Sequence, residues 1–85
     1  MPTPSRQAPK QVTKKIAANL KRMRRESGMT QEQLAAIAGV SSVKMIEKRG
    51  SAEIGILYSI TRALGRPLAA VFEGVTPYDA VDAKK

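Results

Sequence analysis

The residue types here that could do chemistry are cations. Arg6, Lys10, Lys14, Lys15, Lys21, Arg22, Arg24 and Arg25 fall within the first 28 positions, against a single acid, Glu26. Lys44, Lys48 and Arg49 form a second, shorter group. Over the 85 residues, 15 Lys and Arg face 7 Asp and Glu, a formal charge of +8. Such an excess, concentrated in the N-terminal third, attracts a polyanion: nucleic acid, an anionic membrane surface or an acidic protein. Other chemistry is poorly supplied. With no Cys there are no disulfides, and with neither Cys nor His a transition-metal site is not expected, because such metals prefer thiolate and imidazole. Cys–His and Ser–His–Asp nucleophilic sites lack their parts. Asp79 and Asp82 lie near the C-terminus, and no catalytic carboxylate pair is evident. The composition reads as a binding protein, with no enzyme activity, metal or cofactor expected.

These cations need a frame, and apolar periodicity supplies one. Residues 1–11, with three prolines among the first ten, read as a flexible basic arm in which Arg6 and Lys10 are candidates for contact with a polyanion backbone. Val12, Ile16, Leu20 and Met23 form one helical stripe, so a helix is expected over 11–27, with Lys14 off that stripe and Gly28 as the stop. Thr30 followed by Gln33 is a capping box for a helix over 30–38, whose apolar side is Leu34, Ile37 and Ala38. Gly39 and Val40 make a tight turn. Ser41 or Ser42 caps a short helix over 41–49 that ends at Gly50. Ile54, Leu57, Ile60 and Leu64 mark a fourth helix over 53–64. Leu68, Val71 and Phe72 mark a fifth over 67–72, packed back on the core. Residues 73–85 read as a tail. The fold class is all-α. The longest apolar run, around 34–40, is far short of the roughly 20 residues a spanning helix needs. No apolar segment resembling a secretory signal occurs near the N-terminus, so a cytoplasmic, non-membrane protein is expected.

Two short helices joined by a Gly turn in a small basic all-helical domain suggest a helix-turn-helix. The stretch IAANLKRMRRESGMTQEQLAAIAGVS resembles the opening of the lambda-repressor-like (Cro/repressor-type, XRE) helix-turn-helix family, and IGILYSITRALGRPLAAVF resembles its last two helices. The matching positions are Gly28, Thr30, Gln31, Leu34, Ala35, Gly39, Val40 and Ser41, then Leu57, Ile60, Ala63, Leu64, Gly65, Leu68 and Phe72. The resemblance spans roughly residues 12–72 and implies a compact five-helix domain that binds double-stranded DNA, commonly as a homodimer. Helix 30–38 would lie across the DNA backbone, with Thr30 and Gln31 near phosphates. Helix 41–49 would enter the major groove.

The third helix fits the family pattern in two ways: one register leaves it about two residues short, and the other keeps the family spacing. In one register Val43 and Ile46 face the core, and Ser42, Lys44, Met45 and Lys48 face outward, with Arg49 beside them. In the other, Met45 enters the core, Val43 and Ile46 are exposed and Lys48 turns inward. An unpaired buried Lys is costly, which favours the first. The candidate DNA-reading residues are therefore Gln31, Ser41, Ser42, Lys44, Met45, Lys48 and Arg49, with Arg6, Lys10, Lys14 and Thr30 as candidate backbone contacts. The expected function is a sequence-specific transcriptional regulator, a repressor in the leading reading. The alternative is the antitoxin of a toxin–antitoxin pair, whose tail (Val75, Tyr78, Val81) would meet a toxin, another protein or a second protomer. A membrane-active basic helix over 12–25 is disfavoured, because its apolar side has neither Trp nor Phe.

Overall fold

The structure, a computed structural model, describes residues 9–76. Arg6, Tyr78 and Val81 lie outside the described residues. Four α-helices and a closing 3-10 turn make up the chain: α1 Lys10–Glu26, α2 Gln31–Ala38, α3 Val43–Arg49, α4 Ile54–Ala63, and the 3-10 turn Leu68–Phe72. The described residues contain no strand. The fifth expected helix is the 3-10 turn.

α1 forms where the sequence periodicity places it. Pro9 cannot donate to a helix but can accept, and its carbonyl takes the amides of Val12 and Thr13 at 3.0 and 3.1 Å. Lys10 is thus helical rather than part of an extended arm. The stripe Ile16, Leu20 and Met23 is buried, and Val12 packs against it. The stripe meets Leu34 of α2, Val43 of α3, Leu57, Ile60 and Leu64 of α4, and Val71 of the 3-10 turn in one core. α1 packs against α3 and the 3-10 turn, and α2 packs against α4.

Three apolar residues expected in this core lie outside it. Ile37 is 61% exposed. The inner side of α2 runs through Leu34, Ala35 and Ala38, and Ile37 sits about a quarter turn away from it. Ile54 is 59% exposed, because it precedes Leu57, the first buried residue of α4. Thr61 takes an inner position on α4 instead, its hydroxyl donating to the carbonyls of Leu57 and Tyr58, both at 3.1 Å. Phe72 is exposed because the last element is 3-10 rather than α. Three residues per turn place Leu68 and Val71 one above the other on the core side, and Phe72 comes next around.

The last described residues are fastened to α1. The buried Asn19 amide donates to the carbonyls of Val71 and Glu73, both at 2.8 Å, and its oxygen accepts from Arg22. Arg22 also pairs with Glu73 at 2.8 Å, and the Lys15 ammonium donates to the Gly74 carbonyl at 2.7 Å. Among the described residues no helix is long and apolar enough to cross a membrane.

Candidate nucleic-acid interface

The geometry of α2, turn and α3 is set by local caps. Thr30 Oγ1 accepts from the Gln33 amide at 3.0 Å, and Gln33 Oε1 accepts from the Thr30 amide at 2.9 Å. This capping box satisfies donors that a helix start would otherwise leave open. At the far end Gly39 is left-handed, φ 73°, and the amides of Gly39 and Val40 both close on the Ala35 carbonyl. A side chain at that φ is strained, so glycine makes the reversal cheap. Ser42, rather than Ser41, then caps α3: its Oγ accepts from the Met45 amide at 3.1 Å.

α3 adopts the short register. Val43 is buried, Ile46 packs against the core, and Met45 and Lys48 are exposed. Ser41, Lys44 and Arg49 are exposed with them, and Ser42 is half-buried. Of the candidate reading residues, Ser41, Ser42, Lys44, Met45, Lys48 and Arg49 therefore lie on the outward side of α3 and its approach, while Gln31 stands on α2. Lys44, Lys48 and Arg49 enter none of the ion pairs among the described residues.

The opposite side of α3 is held by a buried ion pair that the sequence reading did not single out. Arg24 Nε donates to Glu47 Oε2 at 2.6 Å and Nη2 to Oε1 at 3.2 Å. Their side chains are 10% and 5% exposed. Arg24 Nη1 also donates to the Met29 carbonyl at 2.8 Å, and Gln31 Nε2 donates to Glu47 Oε1 at 3.0 Å. One carboxylate thus ties α3 to α1 and to the first residue of α2. The hydrogen bonds that Arg24 donates to Glu47 raise its pKa above the ordinary guanidinium value, against an opposing push from burial. A raised cation stabilises the fold fully below its unfolded pKa and loses that contribution only above its folded one, so Arg24 stays charged throughout the neutral range. A signal was present in the sequence: Glu47 is the lone acid between Glu32 and Glu53 and sits on a helix among cations.

The XRE-type helix-turn-helix family pattern matches residues 20–71, which is more than half of the chain and contains this whole assembly. The chain belongs to that family. No curated protein matches the sequence. Among solved structures, a crystal structure of a hypothetical transcription factor, NHTF, from Neisseria is similar, with a TM-score of 0.68 at 21% identity over 82% of this chain and 86% of that one. At that identity the likeness speaks for the fold.

In this helix-turn-helix protein the cations of α1 divide into two sets. Lys15, Arg22 and Arg24 are occupied by bonds to the chain's own atoms. Lys10, Lys14, Lys21 and Arg25 are exposed, lie along one outer side of α1, and enter no ion pair among the described residues. The first turn of α1 contains no acid. Cations there oppose the helix dipole, so the placement of Lys10 is not explained by helix stability.

Proposed function

We propose that this helix-turn-helix protein is a sequence-specific DNA-binding transcriptional regulator that works as a homodimer, with α3 in the major groove. The observation that carries the reading is the outward side of α3: Lys44, Met45, Lys48 and Arg49 are exposed beside Ser41, on a helix fixed from behind by Glu47. The major groove admits one helix, and lysine ammonium groups can meet guanine edges or phosphates there. Met45 supplies an apolar surface for a thymine methyl. Ser41 and Ser42 lie where the chain enters the groove.

The start of α2 supplies backbone contacts. Gln31 has two amide hydrogens; one goes to Glu47, and the second is left for a phosphate beside the Thr30 cap. Lys10 and Lys14, with Lys21 and Arg25, add a sequence-independent attraction for phosphates that fixes position rather than base identity. Arg6 would join them. Bound protein controls transcription by occupancy, most simply as a repressor that excludes polymerase.

The test is selection from a random duplex library at about 150 mM salt, where unspecific phosphate attraction is already weakened. A two-fold enriched motif is expected. Lys44→Ala and Lys48→Ala should each lower affinity for it while the helical circular dichroism stays unchanged. Weak, salt-steep binding without enrichment would reject base reading. The second reading is an antitoxin whose tail meets a toxin. Residues 73–74 are already bonded to Arg22 and Lys15 of the same chain.

A further inference from the structure

We propose that Met45 is an oxidation site: hydrogen peroxide converts its thioether to the sulfoxide and thereby lowers the affinity of the protein for DNA. The inference rests on the proposed function, because it adds a control to the same reading surface.

The chain has no Cys, so its only sulfur is in the thioethers of Met1, Met23, Met29 and Met45. Met1 lies outside the described residues. Burial separates the other three. Met23 is 0% exposed in the core. Met29 is half-buried and packs against that core. Met45 is 41% exposed on the outward side of α3. An oxidant must reach the sulfur, so the three should react in the order of their exposure. Met45 also borders a hollow of about 460 Å³, whose lining includes Val40, Ser42, Ile46, Arg49 and Ile56. A peroxide molecule is far smaller than this space.

The step balances without help from the chain. A lone pair of the Met45 sulfur attacks one peroxide oxygen. The O–O bond breaks as the S–O bond forms, a proton passes to the departing hydroxide, and water leaves. Sulfur loses two electrons and peroxide gains them.

The product is polar where an apolar group stood. A thymine methyl against Met45 would then meet a sulfoxide oxygen that has lost its water. That oxygen is also a hydrogen-bond acceptor with a donor close by. Arg49 stands one turn further along α3, lines the same hollow and enters no ion pair among the described residues. A guanidinium that turns to the new oxygen turns away from DNA. One added atom therefore alters two contacts of the reading surface. Bound DNA covers Met45, so oxidation acts on the free protein and the duplex protects the site.

Peroxide treatment of the full chain, followed by digestion and mass spectrometry, gives the order of oxidation. Met45 should gain its oxygen ahead of Met29 and at least tenfold faster than Met23. A selected duplex should slow the reaction at Met45 and not at Met29. Full conversion of Met45 should lower affinity for that duplex about tenfold with the helical circular dichroism unchanged. Methionine sulfoxide reductases, one for each epimer, should restore it. Met45→Gln, polar without oxidation, should bind weakly from the start. Whatever affinity Met45→Leu begins with, peroxide should leave it unchanged. Oxidation of Met29 before Met45 overturns the proposal, and so does an equal peroxide effect on Met45→Leu. A chain that selects a sequence and keeps its affinity with Met45 oxidised overturns this control and leaves base reading intact. A chain that selects no sequence loses base reading and this control together, even with Met45 oxidised first.

Discussion

Removing the Glu47 carboxylate alone leaves the buried Arg24 guanidinium without its ion-pair partner and Gln31 without its acceptor. Glu47→Ala is therefore expected to destabilise the fold by about 3–5 kcal/mol, the usual cost of orphaning one partner of a buried pair. Urea unfolding measures it. The pair itself is less stabilising than that figure suggests, because burying both ions already costs solvation. Arg24→Met with Glu47→Leu should recover most of the loss. If the double replacement is as unstable as Glu47→Ala, the ion pair stabilises the fold in its own right. Gln31→Ala leaves the Arg24 bond in place and should cost about 1 kcal/mol. On the outer side of α3, Lys44→Ala and Lys48→Ala remove no side-chain hydrogen bond or ion pair among the described residues. Their unfolding midpoints should lie within about 0.5 kcal/mol of the parent while DNA affinity falls.

At the scale of elements, α3 ends where α1 passes. Gly50 is left-handed, φ 69°, and a Cβ added there would sit 1.9 Å from the Thr13 carbonyl oxygen. Gly39 has nearly the same φ, 73°, but a Cβ there would meet nothing within 4 Å. The two substitutions separate strain from collision. Gly39→Ala should cost about 1–2 kcal/mol, the price of a left-handed alanine. Gly50→Ala should cost clearly more, since backbone must also move, and thermal unfolding of the two variants side by side decides it. Most elements were legible in the sequence because each carries its own local code. The stripe of α1, the Thr30–Gln33 box and the Gly39 turn need only neighbouring residues. The placements that were not legible depend on residues distant in sequence. Arg24 and Asn19 read as polar helix residues until α3 and the 3-10 turn bring Glu47, Val71 and Glu73 to them. Ile37 and Phe72 read as core because apolar spacing alone does not tell which of two adjoining sides faces in. The outward side of α3 was legible only because one of its two registers would have buried Lys48.

At the scale of the molecule, the formal charge of +8 is divided by use. On one flank of α1 cations bond to the chain's own C-terminal segment; on the other they are unpaired. That division predicts how salt acts. Lys14→Gln, Lys21→Gln and Arg25→Gln together should lower the slope of log affinity against log salt by about two to three if these groups neutralise phosphates. The preferred sequence should not change. An unaltered slope would place this flank away from DNA. The brevity of α3 has a consequence of another kind. Its 7 residues rise about 10 Å, the length of roughly three base-pair steps. Two such helices, used as proposed, spell a word of about six letters by direct contact. Chance alone repeats a six-letter word about once in 4,000 positions, and a genome offers on the order of a million or more positions. A vocabulary that short addresses hundreds of places at once. Choosing among them falls to how readily each stretch of DNA bends, or to several dimers reading neighbouring words together.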